Sequence, residues 1–316
     1  MVTGASGFVG SVLCTELSRA GYIVRAAVRD PRRVPTGATE QAVIDELGPA
    51  TRWEAALEDI DCVVHLAARA HVMRDSQSNA DLYMRANAQG TLRLATQCAH
   101  AGVRRFIFLS SIKVNGDATQ ARPFSPLDEP RPCDAYGESK WEAEKHALQV
   151  GRETAMEVVV MRSPLIYGPG VKGNFLALMH WVDKERLLPL GRIANRRSLV
   201  NVWNLCDLML TLLTRSDVSG RVWMASDCED LSTPELVRRM ARVMGRRARL
   251  MSVPVPLLAL AGTMVRRRAQ AARLCGSLQV DVAATRQELD WSPAVPVEEG
   301  LRRTASWYQE AKAHVG

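Results

Sequence analysis

What this chain does not contain excludes several protein classes. Nowhere in its 316 residues do roughly 20 consecutive apolar residues occur, the length that spans a bilayer, so no integral membrane segment is expected. The longest candidate, Val253 to Val265, is interrupted by Pro254, Pro256 and Gly262 and meets Arg266-Arg267-Arg268. It reads as a buried amphipathic segment, with a peripheral membrane contact as the alternative. A secretory leader is not expected, because Met1 runs straight into a Gly-rich turn. The seven cysteines (Cys14, Cys62, Cys98, Cys133, Cys206, Cys228 and Cys275) form no C-x-x-C pair and no Cys/His cluster, so no metal site is expected. Their odd, dispersed count points to reduced thiols and a cytoplasmic setting. Lysine is scarce, 6 residues against 35 arginines. The arginines are not interleaved with aromatics, so nucleic acid is not an expected partner. No internal repeat or low-complexity tract occurs.

What is present is ordinary for a globular protein: 47% hydrophobic and 24% charged residues. The length suits one large domain with a smaller companion. Residues 1–165 alternate apolar runs with helical patterns. That rhythm predicts an α/β fold, a Rossmann-type doubly wound parallel sheet. Tyr22 to Val28, Cys62 to Ala67, Phe106 to Ser110 and Val158 to Arg162 are apolar runs, as strands buried on both faces should be. Helices are expected over about 8–20, 79–101 and 135–152, with Gly102 closing the second. After Tyr167-Gly168-Pro169-Gly170 the pattern changes to helices punctuated by Pro and Gly. The expected division is therefore 1–168 for the sheet domain and 169–316 for a substrate-binding region. Within 196–226, Leu199 to Val202 and Val222 to Ala225 are expected to return to the first sheet. Ser232-Thr233-Pro234-Glu235 reads as a capped helix start with Glu235 as the capping-box partner, and Asp281 as another cap.

Two motifs carry the chemistry. In Gly4-Ala5-Ser6-Gly7-Phe8-Val9-Gly10, Gly4 suits a tight turn, Gly7 the close approach of a pyrophosphate, and Gly10 the packing of helix on sheet. The helix N-terminus then offers free N–H groups to the phosphates. Only Met1-Val2-Thr3 precede Gly4, so a misassigned start or a truncated central strand is expected, the latter weakening stability and cofactor binding. The net charge of +7 reflects either composition bias or an anionic ligand such as a dinucleotide or a sugar diphosphate. At the end of the second strand an acid would bind a ribose 2′-hydroxyl and a base a 2′-phosphate. Val28 stands in the acid's place and Arg29 follows, which favours NADP(H). Asp30 keeps NAD(H) open, and Arg32 and Arg33 read equally as a solvated loop.

The second motif is Tyr136-Gly137-Glu138-Ser139-Lys140, which sets a phenol and an ammonium one helical turn apart on one face. A tyrosine hydroxyl titrates near ~10 when unperturbed. A neighbouring lysine and a positive nicotinamide ring would favour its phenolate. Tyr136 can then exchange a proton with a substrate oxygen while a hydride moves on carbon. Lys140 can hold the nicotinamide ribose, and Ser111, at the mouth of an apolar strand, can bond the same substrate oxygen. His65, in a buried strand, reads as a satisfied core residue, and the seven tryptophans as packing residues.

With these residues in place the chain resembles an extended short-chain dehydrogenase/reductase of the NAD-dependent epimerase/dehydratase type, over essentially its whole length. The family's Gly-rich motif matches Thr3 to Gly10, which implies cofactor contacts from Gly4, Ser6, Gly7, Phe8, Val9 and Gly10. His65-Leu66-Ala67-Ala68 matches the motif whose backbone, at Leu66, Ala67 and Ala68, lines the cofactor. Asn87-Ala88-Gln89-Gly90-Thr91 matches the motif in which Asn87 supports the site. Arg162-Ser163-Pro164-Leu165-Ile166-Tyr167-Gly168-Pro169 matches the segment beside the nicotinamide, with Pro164 in contact, and Ser110 precedes the serine of the set. The adenine-contacting pair is Glu46-Leu47 in place of Asp-Ile, and Asn115 stands where the serine loop usually has tyrosine.

The serine loop, with Val171-Lys172-Gly173-Asn174-Phe175 and Arg196-Arg197-Ser198-Leu199-Val200, resembles the UDP-glucose 4-epimerase-like proteins of bacterial surface-polysaccharide clusters. That resemblance implies a UDP-sugar gripped by Asn174 and Arg197, with Arg192 and Arg273 as weaker candidates. Lys113 either touches the substrate or faces solvent. It also implies a homodimer through the helices near 79–101 and 135–152. The expected function is an NAD(P)-dependent oxidoreductase at C4 of a UDP-sugar, a 4-ketoreductase on a UDP-2-acetamido-2,6-dideoxy-hexulose type substrate. The alternative is a UDP-hexose 4-epimerase with retained NAD. Further alternatives are a reductase of small ketones and a non-catalytic NADP(H)-binding sensor or scaffold.

Overall fold

A computed structural model describes residues 1–70, 77–254, 256–257 and 274–313. Arg273 and most of Val253 to Val265 lie outside the described residues. The strands are β1 (Val2–Thr3), β2 (Arg25–Val28), β3 (Glu40–Val43), β4 (Cys62–His65), β5 (Arg105–Ser111), β6 (Glu157–Ser163), β7 (Leu165–Tyr167), β8 (Leu199–Asn201) and β9 (Val222–Met224). The helices are α1 (Phe8–Arg19), α2 (Gln77–Tyr83), α3 (Gly90–His100), α4 (Ala135–Glu153), α5 (Gly173–Asp183), α6 (Val202–Thr214), α7 (Thr233–Val243), α8 (Ala283–Leu289) and α9 (Val297–Ala313).

Seven strands make one sheet in the order β3-β2-β1-β4-β5-β6-β9, every pair parallel. Parallel neighbours need crossovers, and helices cover both faces. On one face Leu13, Cys14 and Leu17 of α1 and Leu205, Leu208 and Leu212 of α6 pack on Val2, Val64 and Val159. On the other, Leu94, Ala95 and Cys98 of α3 and Ala143, Ala147 and Val150 of α4 pack on Phe106, Phe108 and Val160. A third cluster joins α5, α7 and α9 through Phe175, Leu178, Val237, Met240 and Leu301. Phe8 touches both the first and the third, so the start of α1 sits where the two halves of the chain meet.

The central strand is two residues long, yet it is paired on both sides: Val2 and Thr3 with Ala26 and Ala27 of β2, and with Val64 and His65 of β4. One expectation needs correction. β9 joins the sheet beside β6, but β8 pairs only with β7, in a separate two-stranded sheet. The cause is Pro164, which has no N–H to extend the ladder and bends the chain after β6. β7 leaves the main sheet there and becomes the partner of Leu199–Asn201. At α7 the Ser232 hydroxyl accepts from Glu235 N at 3.2 Å. The Glu235 carboxylate accepts from Arg239, so only half of the capping box forms. Asp281 accepts from Ala283 N at 2.8 Å.

Gly10 is where helix and turn touch. A Cβ there would lie 2.2 Å from the Gly4 carbonyl oxygen and 2.7 Å from Ala5 Cα, both backbone. Gly10→Ala is therefore expected to destabilise the protein by about 3 kcal/mol, the upper part of the overpacking range. Urea unfolding of the two proteins measures this, and equal midpoints would refute the contact.

Candidate active site

The turn between β1 and α1 is shaped by close backbone contacts. Gly4 has φ +66°, and a Cβ on it would lie 2.8 Å from Ala67 N. Gly4 thus seats the turn on the backbone of Leu66 and Ala67. Gly7 N donates to Gly4 O at 2.9 Å, while a Cβ on Gly7 would meet nothing but that oxygen, at 3.0 Å. α1 starts directly after Gly7 with no side-chain cap and no acid in its first turn. Its leading N–H groups therefore lack side-chain partners, the arrangement that receives a phosphate. Ser6 is exposed beside it, and Val9 is buried in the core behind it. These residues fit a dinucleotide.

At the end of β2, Val28 is buried and Arg29 is exposed. Asp30 turns back on its own loop, accepting from Arg32 N at 3.0 Å and from the Arg32 guanidinium at 3.0 and 3.2 Å. Those bonds hold its carboxyl below the usual range. Beyond β3, Glu46 is exposed and Leu47 is half-buried. Leu47 lies so close to the start of α3 that a Cβ on Gly90 would come within 2.9 Å of its Cγ.

Ser111 ends β5, and its hydroxyl accepts from Lys113 N at 3.3 Å. Asp134 caps α4 by accepting from Gly137 N at 2.8 Å. It thereby sets Tyr136 in the first turn and Lys140 in the next, as the spacing predicts. Their electrostatics differ from expectation. Burial, with the Asp134 carboxylate second, pushes the Tyr136 hydroxyl up to about 12. Lys140 does not counter this. It is 2% exposed, donates to Leu109 O at 2.7 Å and lies 4.1 Å above the Phe108 ring. Burial brings it down to about 7, with Glu144 opposing. The chain alone thus holds a neutral phenol.

Asn87 lies in a π-helical turn, Met84–Gln89, between α2 and α3. Its amide oxygen accepts from Arg69 N at 2.7 Å, and its nitrogen donates to Arg69 O at 3.1 Å and to Ser139 Oγ at 3.0 Å. One side chain therefore ties the Leu66-Ala67-Ala68 segment to the tyrosine helix. His65 is fully buried, with Thr3 Oγ1 2.6 Å from Nδ1 and Thr91 Oγ1 3.0 Å from Nε2.

Three residues near Ser111 are tied to other parts of the fold. Lys113 is half-buried, and its ammonium donates to Asp117 and, at 3.0 Å, to Asp134. It clips the serine loop to the cap of α4. The Ser110 hydroxyl donates to Glu144, which leaves its backbone for any cofactor contact. Asn115, in the tyrosine's place, is buried, donating to Ser125 O and accepting from Arg162. Asn174 is exposed in the first turn of α5, and Pro164 is buried in the bend after β6. Arg197 is half-buried and donates to Gly276 O at 3.1 Å, and Arg192 is exposed. Sequence reasoning missed Glu144, which is wholly buried. Its signal was an acid four residues beyond Lys140, on the same helix face.

A dinucleotide-binding sheet with a serine, a tyrosine and a lysine at its C-terminal edge defines a dehydrogenase-type nucleotide fold. A family model described as the NAD dependent epimerase/dehydratase family matches residues 1–225, and the chain belongs to that family. A UDP-glucose 4-epimerase of Vibrio cholerae is 40% identical over 315 residues, covering 98% of this chain and 95% of that protein. A dihydroflavonol 4-reductase of Hordeum vulgare is 29% identical, covering 70% and 68%. The structure of MoeE5 in complex with UDP-glucose and NAD superposes with a TM-score of 0.80 at 28% identity, covering 98% of both chains.

Burial lowers His65 from its ordinary 6.5 to about 3. Below pH 6.5 the unfolded chain takes up a proton that the folded chain refuses. Stability is then lost as pH falls, by about 1.4 kcal/mol per unit from this residue. Unfolding free energies measured between pH 6.5 and 4.5 should show a slope that His65→Asn makes shallower by that amount.

Proposed function

We propose that this chain is a nicotinamide-dependent enzyme acting at C4 of a UDP-sugar, and that it epimerises a UDP-hexose with a retained NAD(H). The observation that carries this reading is the seating of the Tyr136 turn of α4 on the loop after Ser111, where Lys113 bonds Asp134 at 3.0 Å and a Cβ on Gly137 would lie 2.8 Å from Lys113 O, with Asn87 joining the Leu66-Ala67-Ala68 segment to the same helix. The relative that matches almost end to end is named an epimerase. Its likeness supports epimerisation over the 4-ketoreductase expected from Arg29. The cofactor in the family's description and in the MoeE5 complex is NAD, which supports NAD(H) over NADP(H).

When bound, the nicotinamide supplies the acceptor and donor of the hydride at the sugar carbon. The chain's own residues handle the proton. Tyr136 removes it from the sugar's O4 and returns it, and Ser111 at the end of β5 bonds the same oxygen. Lys140 sets the charge behind them. Gly4, Gly7 and the start of α1 take the pyrophosphate, and Asn174 and Arg197 take the UDP phosphates. An arginine fork suits a phosphate because it donates two bonds at once. The substrate-binding region begins after Gly168. Leu82 and Leu92, partly exposed on α2 and α3, supply apolar contacts for a homodimer. Seven free cysteines suit a reducing cytoplasm, and no helix among the described residues is long and apolar enough to cross a membrane.

One observation favours a second reading, a reductase with exchangeable NADPH. Arg29 is exposed at the end of β2, and it makes no ion pair among the described residues. The purified protein is expected to carry NAD(H) and to interconvert a UDP-hexose and its C4 epimer without net redox change. Tyr136→Phe should lower kcat by about 10²–10⁴-fold. Stoichiometric NADPH consumption with a UDP-4-keto sugar, and no epimerisation, would establish the second reading instead.

A further inference from the structure

Behind the proposed proton-transfer residues lies a buried polar cluster that the reaction does not touch. Glu144 of α4 and Arg162 of β6 are 0% and 2% exposed. The guanidinium donates through Nε at 2.9 and 3.2 Å to the two carboxylate oxygens, and through Nη2 at 2.6 Å. The remaining nitrogen, Nη1, donates to Asn115 Oδ1 at 3.0 Å. The carboxylate also accepts from the Ser110 hydroxyl. Asn115 in turn donates to Ser125 O and closes the turn after Ser111, its N–H bonding Ile112 O at 2.9 Å.

Each contact leads to one member of the proposed catalytic set. Ser110 precedes Ser111 on β5. Asn115 ends the short turn that Ser111 opens. Glu144 lies one turn beyond Lys140, which lies one turn beyond Tyr136. The cluster therefore has a grip on the strand, the loop and the helix that must converge on one substrate oxygen. We infer that Glu144 and Arg162 are a positioning pair, fixing Ser111 through Asn115 and keeping Lys140 an ammonium beside Tyr136. This rests on the reading of Ser111, Tyr136 and Lys140 given above.

The charged and titratable groups around Lys140 are few. Glu144 stands on its own helix and favours the ammonium. Arg162 on β6 is paired to that carboxylate. His65 on β4 is held neutral by burial. Tyr136 is a neutral phenol, and β5 offers only Leu109 O and the Phe108 ring. Removing the carboxylate therefore removes the one anion that faces the lysine among the described residues.

The test replaces the pair by apolar residues of similar volume, E144L/R162M. That change leaves no lone ion in the core, and such swaps often keep or raise stability. The folded double variant is expected to keep its KM and lose about 100-fold in kcat, since small displacements of reacting groups cost that much. The alkaline limb of its kcat profile should move to lower pH. A variant with wild-type kcat and an unmoved limb would overturn the inference. Should that variant fail to fold, N115A decides. It is expected to fall about tenfold in kcat with the alkaline limb in place, because Glu144 still faces Lys140. Full turnover in N115A would overturn the role of the pair in setting Ser111. Tyr136→Phe is measured alongside. If Y136F keeps turnover, the site reading fails and the pair's role with it. If Y136F is inactive while E144L/R162M runs at full rate, only the pair's role fails.

Discussion

Glu144 and Arg162 meet where water does not reach, and much of the site's geometry depends on that meeting. Dehydrating two ions costs several kcal/mol each, and their attraction offsets this only when the remaining hydrogen-bonding groups are also satisfied. Here they are: Ser110 and Asn115 take what the pair leaves open. A cluster of that kind tolerates few arrangements. It selects one register of β6 against β5, in which Ser110 faces Arg162 and Ser111 faces Ser163. It also selects one height of α4 above them. Lys113, bonded to Asp134 at the helix cap, repeats the fastening at the solvent side of the same loop. The tyrosine helix and the serine loop are thus joined at two depths.

The electrostatics of the site follow from this burial. Sealing Lys140 under Phe108 and Leu109 makes its charge expensive, and burial of Tyr136 disfavours its anion. The two groups move apart, the phenol up to about 12 and the ammonium down to about 7. In the chain alone the proton therefore sits on the tyrosine. A pair whose environments pull in this way responds strongly to any charge placed between its members.

Much of this was legible in the residues. Continuous apolar runs gave β4, β5 and β6, because a strand covered on both faces needs nothing polar. The Gly4, Gly7 and Gly10 spacing gave the turn, and the helix around Tyr136 and Lys140 ran as expected to within a residue. What stayed hidden has physical causes. β3 is an edge strand, Glu-Gln-Ala-Val, exposed on most of its length, so it carries no apolar signature. β7 is three residues and exists because Pro164 bends the chain. Lys113 looked like a solvent or substrate lysine because its partners, Asp117 and Asp134, are brought to it only by the fold. Nothing in the sequence marks Arg105 and Arg162 as core residues. Both are buried, Arg105 binding Glu157 and the last carbonyls of α6 at Leu212 and Leu213.

Side chains reinforce β1 where it meets its neighbours. Its ladder to β2 and β4 spans two positions only. Thr3 adds two side-chain bonds to that ladder. Its hydroxyl meets His65 on the neighbouring strand and accepts from Ala67 N at 3.2 Å just beyond it. His65 is in turn bonded to Thr91 on α3 and stacked on Phe108 of β5. A chain of contacts thus runs from the Gly-rich turn through one neutral imidazole to the strand that ends in Ser111. The imidazole bridges the two threonines as a neutral ring, because its burial disfavours the charge. Cofactor turn and proton-transfer residues, far apart in sequence, are held in one frame by that buried line across the middle of the sheet.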